Sequence, residues 1–543
     1  GGVEREPPGE HRQGGERAAG VVGQQIHAPL DGAAQRATAV RGSFRLTAEN
    51  LPAVVGICRA LEGMPLAIEL AAARIRALSP QQVLERLDSA LDLLVSGARD
   101  LPERQRALSR TIEWSVDLLP DDARRAFAAL SVFAGRFTLD SAEEVLRAAH
   151  VDDPLASVEA LVEASLLHST DQPGAPTFRY LSTVRAYGAE LLTGAERDDV
   201  VDAWIAHHRS RAQRAGAELR GRRQREWLTR LEFELEDLAR VERELIDRRR
   251  LDDAADFAWS LYLFLWIAGH LGVVREWMGE LTDLASRESV PISPRTSAIA
   301  LYYVNAIRFW EDLAYDPLPG LTRGRDLFDE SGDTFGAALT GVSIGLGLLA
   351  RPGDGPDFPA ASNEVARSLD GFTKISDTWG MAMALVTLGR IEMAMGHPDS
   401  ALARFERSLE LARSQGELLG IVISQNHRGW ARFFTGDLEG AREDFAEGLE
   451  RSHTLGHDEG VAYGLEGFVG LAARAGDAHT AGLLVGAAEA LRMRKGILNP
   501  GAFEFHTLVL GGLREAGSGD ELDRAAAEGR SLTVDQALAH VRD

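Results

Sequence analysis

From Phe44 onward, apolar residues recur at helical spacing over almost the whole chain. Val54, Ile57, Cys58 and Leu61 form one stripe, and Leu66, Ile68, Leu70, Ile75 and Leu78 a second. Gly63-Met64-Pro65-Leu66 separates them, and Pro65 suits the first turn of a helix, where its missing N–H is not needed. The pattern predicts helix, tight turn, helix. Ser79-Pro80-Gln81-Gln82 signals the start of a further helix over Val83 to Leu87. Residues Gln105 to Leu119 bring Leu108, Ile112, Trp114, Ser115, Leu118 and Leu119 close to one face, and Pro120-Asp121-Asp122 caps a helix carrying Phe127, Leu130, Val132 and Phe133. After an Ala134-Gly135-Arg136-Phe137 turn, helices are expected over Asp140 to Ala149 and Ser157 to Ala164. Ser165 to His168 and Thr177 to Leu181 read as two short strands around a Gln172 to Pro176 turn, before Thr183 to Leu192 returns to helix. Three helices and a β-hairpin are the outline of a winged helix.

Beyond Asp199 everything reads as helices joined by short Gly/Asp/Pro turns, and an internal period emerges. Gly380, Gly420 and Gly460 recur at about 40 residues, as do Gly396, Gly436 and Gly476, and Ala401, Ala441 and Ala481. Phe405 matches Phe445, Leu409 matches Leu449, and Asp333-Thr334-Phe335-Gly336 echoes Asp377-Thr378-Trp379-Gly380. No such unit could bury its apolar face alone, so the expectation is an α-solenoid resembling tetratricopeptide repeats. The expected fold class is mainly α: a helical segment over 44–98, a winged-helix-like unit with a small β-hairpin over 99–197, and a solenoid over 198–543.

Composition narrows the function. A net charge of −23 and a pI near 5.1 argue against a chain that coats nucleic acid or an anionic membrane. Cys58 is the sole cysteine, which excludes an internal disulfide and a cysteine-rich zinc site, and its apolar helix face makes it a small core residue. The N-terminus lacks a secretory pattern, so a cytoplasmic location is expected. Phe257 to Val274 is the most apolar stretch, but His270 interrupts it and no basic cluster follows, which favours a buried repeat helix. Residues 1–43 are rich in Gly, Gln, Arg and Glu without periodicity, and are expected to be a disordered or non-native segment. The abrupt change at Ser43-Phe44 suggests a longer protein interrupted upstream.

Leu61-Glu62-Gly63-Met64-Pro65-Leu66-Ala67-Ile68-Glu69-Leu70, with Leu78-Ser79-Pro80 following, resembles the end of the NB-ARC-like nucleotide-binding module of signal-transduction ATPases with numerous domains. These are the predicted ATPases of actinobacterial LuxR-type and activator-type regulators. Glu113-Trp114-Ser115-Val116-Asp117-Leu118-Leu119, Leu130-Ser131-Val132-Phe133-Ala134-Gly135 and Thr183-Val184-Arg185-Ala186-Tyr187 resemble the segments that follow in that family, and Glu528 to Ala539 resembles its C-terminus. The resemblance implies that Gly63, Pro65 and Leu66 lie near the adenine of a bound nucleotide; the bland alternative is that Pro65 only shapes a helix hinge. It also implies a regulator whose repeats bind a protein or small-molecule effector on their concave face, with the winged helix relaying that event. The chain departs from the family in lacking G-x-x-x-x-G-K-[ST], the loop whose backbone N–H groups and lysine cradle phosphates. Its only lysines, Lys374 and Lys495, follow Thr373 and Arg494. The chain is therefore expected not to be an enzyme, ATP or ADP entering only in a full-length form or in a site completed by another chain. A stand-alone interaction scaffold is the alternative. The chain also ends at Asp543 without a recognisable output helix-turn-helix.

Other constellations are weaker. Gly341-Val342-Ser343-Ile344-Gly345 fits G-x-S-x-G, but helical flanks remove the strand that a nucleophile elbow requires. His453 and His457 stand at i, i+4 without the glutamate of H-E-x-x-H, and read as solvent-facing, with no metal site expected. Arg104, Arg106, Arg110, Arg124, Arg125, Arg179 and Arg185 offer phosphate contacts, offset by nearby acids, so direct DNA binding is the less favoured reading. Arg220, Arg222, Arg223 and Arg225 read as a solvated, salt-bridged helix.

Overall fold

A computed structural model describes residues 44, 46–47, 50–61, 65–76, 78–85, 111–170, 176–312, 314–351, 355–495 and 504–542. The expectations for residues 1–43, for Gly63 and Met64, for 99–110 and for the 172–175 part of the hairpin turn lie outside the described residues. The chain divides into two compact units, 1–208 and 209–543.

In the first unit, helices Leu51–Ala60 and Pro65–Ala73 form as the apolar spacing predicts, Pro65 being the first helical residue. Val54, Ile57, Cys58, Ala67, Ile68, Ala71 and Ile75 share one buried cluster, against which Trp114 packs. Ser79 and Gln82 cap the next helix reciprocally. Ser79 N–H donates to Gln82 Oε1 at 2.9 Å, and Gln82 N–H to Ser79 Oγ at 3.3 Å.

Helices Asp121–Ala129, Leu139–Ala148, Pro154–Glu163 and Ser182–Leu191 surround a core of Phe127, Leu130, Phe133, Leu146 and Leu161. Tyr180 locks the hairpin onto this core by donating its hydroxyl to the Phe127 carbonyl at 3.1 Å. Leu118, assigned to the buried face from sequence, is 41% exposed. The sheet has three strands, β1 (Phe137–Thr138), β2 (His168–Thr170) and β3 (Thr177–Arg179), in the order β1-β3-β2, all antiparallel.

Two details correct the sequence reading. The first hairpin strand lies at 168–170, not 165–168, because the N–H groups of Leu166 and Leu167 both close the preceding helix on the Leu161 carbonyl, at 3.0 and 3.2 Å. Those donors are not free for a sheet. Phe137, read as the end of a turn, instead forms β1 opposite Phe178, and its ring stacks on Phe133 at 4.4 Å.

The second unit is an array of antiparallel helix pairs. Helices Gln224–Phe233, Leu235–Asp247, Leu251–Ser260, Tyr262–Ile267 and Leu271–Glu288 precede five regular pairs. The first helices of these pairs are Pro294–Glu311, Thr334–Leu349, Thr378–Ala394, Leu418–Thr435 and Asp458–Arg474. The second helices are Leu318–Glu330, Phe358–Lys374, Pro398–Gln415, Leu438–Leu455 and Ala478–Lys495. The apolar stretch 257–274 is broken at Leu261 and again at Gly269, whose φ is +79°. Among the described residues no helix is long and apolar enough to cross a membrane.

The 40-residue period has two physical causes. At the turns, Gly396, Gly416, Gly436, Gly456 and Gly476 all take left-handed backbone, which glycine adopts without a Cβ clash. Three of the first helices then open on an acidic side chain that accepts from the glycine N–H three residues on: Asp333 from Gly336 at 2.8 Å, Asp377 from Gly380 at 2.7 Å, and Glu417 from Gly420 at 2.6 Å. Inside the pairs, glycines admit the phenylalanines of neighbouring helices. A Cβ on Gly429 or Gly467 would come within 3.0 Å of the fully buried Phe445 ring.

Candidate functional site

The first helices line a hollow of about 1030 Å³, its open mouth included. All five contribute, together with Tyr262, Trp266 and Leu271 from the preceding helices. This placement follows from the repeat. Stacking the pairs sets the same turn of successive first helices side by side, so residues far apart in sequence share one wall.

Much of the lining is aromatic and apolar. Tyr262 and Tyr302 share a hydroxyl contact at 3.0 Å, and Trp266 and Trp379 stand 6.1 and 6.3 Å from the Tyr262 ring. Leu339, Val342, Leu346 and Met383 fill in between, and Trp310 stands on the same wall. Burial raises the phenol pKa of Tyr262 and Tyr302, so both rings are neutral hydrogen-bonding groups.

The polar part of the lining is held by two histidines of opposite tautomer. His427 donates from Nδ1 to the Ile423 carbonyl at 2.8 Å, leaving Nε2 to accept Arg390 Nε–H at 2.6 Å. Burial, reinforced by the adjacent Arg390 charge, holds the His427 pKa well below the usual imidazole range. The neutral ring therefore orients the Arg390 guanidinium. His457 is the reverse case. It occupies the capping position that Asp333, Asp377, Glu417 and Asp437 fill elsewhere, and its Nδ1 accepts Gly460 N–H at 3.2 Å. A neutral imidazole that accepts at Nδ1 carries its proton on Nε2, and burial keeps His457 neutral. Glu459 accepts Trp266 Nε1–H at 3.4 Å, and behind the wall Arg492 forms a buried ion pair with Glu466 and lies over the Tyr463 ring at 4.5 Å.

The residues singled out in the sequence are distributed differently. Gly63 lies outside the described residues, whereas Pro65 and Leu66 open the helix Pro65–Ala73, which is not part of this hollow. His457, expected to face solvent, is 3% exposed because it caps a helix between packed repeats, whereas His453 is half-exposed as expected. Among the described residues no group of three His, Cys, Asp or Glu is placed to hold a metal. Gly341 and Gly345 sit inside the helix Thr334–Leu349, where added Cβ atoms would strike Ser368 and Val365. They serve helix approach, and Ser343 between them lines the hollow.

In the arginine run Arg222, Arg223 and Arg225 are exposed, and Arg223 pairs with Glu218 and Glu226, as the sequence suggested; Arg220 is the exception. Arg220 lies in the turn after the helix Gly194–Glu218, pairs with Asp377 at 2.6 Å and stacks over Phe335 at 4.2 Å. Of the winged-helix arginines, Arg124 donates to the carbonyls of Asp117 and Leu119, and Arg125 binds Asp122. Sequence reasoning missed the hollow altogether. The one available signal was the break in the D/E-x-x-G series at His457-x-x-Gly460.

A model of the winged helix-turn-helix domain matches residues 119–193, and a tetratricopeptide-repeat model matches residues 380–452. The chain is a winged-helix protein with tetratricopeptide repeats. Both parts expected from the sequence are thus present. The chain is 28% identical over 434 residues to "Putative HTH-type transcriptional regulator Rv0890c" of Mycobacterium tuberculosis, covering 76% of this chain and 47% of that protein. It is 35% identical over 178 residues to "Uncharacterized protein Rv0894" of the same organism, covering 32% of this chain and 45% of that protein. The winged-helix repeat protein thus spans about half the length of the curated relatives it matches. A solved signal transduction ATPase with numerous domains and a tetratricopeptide repeat sensor, from Pyrococcus horikoshii, aligns over 88% of this chain and 74% of its own. The TM-score is 0.41 and the identity 13%.

Proposed function

We propose that this winged-helix repeat protein is a non-catalytic transcriptional regulator whose solenoid senses a small molecule in the aromatic hollow. The observation that carries this reading is the hollow itself, walled by five successive first helices and lined by the aromatic residues Tyr262, Trp266, Tyr302, Trp310 and Trp379. A ligand there touches several repeats at once. Its binding free energy can therefore favour one curvature of the array over another, which is what a sensor needs. The winged helix relays that change to a transcriptional output, in keeping with the name of the mycobacterial relative. The family resemblance, of LuxR and NB-ARC-like type, supports a cytoplasmic switch in which Gly63, Pro65 and Leu66 occupy the adenine side of a nucleotide module. ATP or ADP would bind with phosphate-holding parts that 44–98 does not supply, and titration with ATP and ADP tests this part separately.

The hollow is tested by filling it. Ala306, half-buried on the wall, tolerates a larger side chain pointing into the space. Thermal shifts of wild type and Ala306→Trp are compared across a panel of small aromatic and apolar compounds. Compounds that stabilise wild type and leave Ala306→Trp unmoved support the sensor. If both chains respond identically to every compound, the hollow is not the binding site and the scaffold reading replaces it.

A further inference from the structure

We propose that the hollow selects a flat, mainly apolar molecule carrying an oxygen acceptor, and that the Nε2–H of His457 recognises that oxygen. This deepens the sensor reading and rests on it. The polar groups around the hollow divide unevenly. The hydroxyls are engaged: Tyr262 and Tyr302 with each other, and Thr387 with the Met383 carbonyl at 3.0 Å. Among the described residues that line the hollow, two buried donors have no partner. His457 Nε2 is buried without a hydrogen bond, and so is Trp379 Nε1, both residues being 3–4% exposed and both lining the hollow. The nearest carboxylate oxygen to His457 Nε2, on Glu459, stands 3.8 Å away, beyond hydrogen-bond reach, and is taken up by Trp266. Asn426 Oδ1 is also unpartnered, but it points at Gly448 on a second helix, where an added Cβ would meet it. Apart from Asn426 Oδ1, the buried unpartnered atoms that line the hollow are thus donors, with the Arg390 guanidinium on the same side and the Glu459 carboxylate on the other.

The way His457 is held argues for recognition. In the three preceding repeats an acidic side chain caps this position and offers acceptors only. An imidazole does the same capping with Nδ1 and, because that fixes the tautomer, presents an N–H on the other edge of the ring. A buried donor with no partner is unfavourable, and a ligand oxygen relieves it, whereas an apolar ligand seals it off from water. The aromatic and aliphatic wall asks the rest of the molecule to be flat and apolar.

The probes are 2-acetylnaphthalene and 2-ethylnaphthalene, which share a ring system and differ in one carbonyl oxygen. Binding to the full chain is read by quenching of tryptophan fluorescence, since Trp266, Trp310 and Trp379 line the hollow. Wild type should bind the ketone roughly tenfold more tightly than the hydrocarbon. His457→Asp restores the acidic cap of the neighbouring repeats and removes the donor, so the preference should fall to about one with little change in Tm. His457→Ser, which caps but is too short to reach the ligand, should behave likewise, and it decides the matter if Asp lowers Tm. An undiminished preference in these variants overturns the inference. Binding of both probes without preference, abolished by Ala306→Trp, overturns it while leaving the sensor reading intact. Binding of neither probe to wild type overturns it and counts against the sensor as well.

Discussion

Glu417 makes a direct test of how the repeats are held together. It opens the helix Leu418–Thr435, is 2% exposed, and accepts Leu419 N–H at 2.9 Å, Gly420 N–H at 2.6 Å and the side-chain amide of Gln224. Burial pushes its pKa up to about 7, overriding the opposing pull of those hydrogen bonds and of the Arg220 charge. The folded value thus lies above the ordinary 4.5. The folded chain holds this proton more tightly, so the contribution to stability is full below about pH 4.5 and is lost as pH rises toward 7. The shift corresponds to about 3 kcal/mol in all, of which about 2 kcal/mol falls between about pH 5.5 and 8. Glu417→Gln removes the titration but keeps only one acceptor oxygen, so one of the two backbone N–H groups loses its partner, at a cost that does not vary with pH. Thermal and urea midpoints of both chains, followed by circular dichroism across that range, should show the variant gaining on wild type as pH rises. The difference between the two chains isolates Glu417 from every other titrating group. A pH-independent difference, or a wild type that gains with pH, would refute the assignment of a protonated buried cap.

Two further outcomes follow from the packing. Glu242 is fully buried, neither of its carboxyl oxygens has a hydrogen-bond partner, and burial raises its pKa well above the usual range. Glu242→Leu should therefore stabilise the chain by roughly 1–3 kcal/mol in urea denaturation near neutral pH; a destabilised variant would show that the carboxyl is satisfied in solution. Gly467→Ala places a methyl against the Phe445 ring and should cost about 1–3 kcal/mol. Adding Phe445→Leu should relieve part of the clash, so strictly additive effects in the double mutant would contradict direct contact.

The helical character, the 40-residue period and the hairpin of the winged helix were legible because each depends on local rules. Pro65 at a helix start, Ser79 and Gln82 as a reciprocal cap, and left-handed glycines at Gly416, Gly436 and Gly456 are all dictated by residues within four positions of one another. Errors arose where a partner distant in sequence decided the outcome. Phe137 became a strand because Phe178 lies opposite it, and Arg220 left solvent because Asp377 and Phe335 receive it. His457 reads as a surface histidine by its polar neighbours, yet the packing of successive repeats buries it.

The amino-acid sequence by itself determined which segments are helices, where they stop, and that they stack in pairs, since spacing, capping side chains and small residues act over a single turn or a single repeat. Only the tertiary structure decided that Tyr262, Trp379, Arg390 and His457 face one hollow. Their separation along the chain is large, and nothing in a 40-residue unit specifies which face of it will meet the same face of the next. Burial of the second helices' phenylalanines against glycines of the first fixes how successive pairs meet, and side chains of all five first helices line the common space.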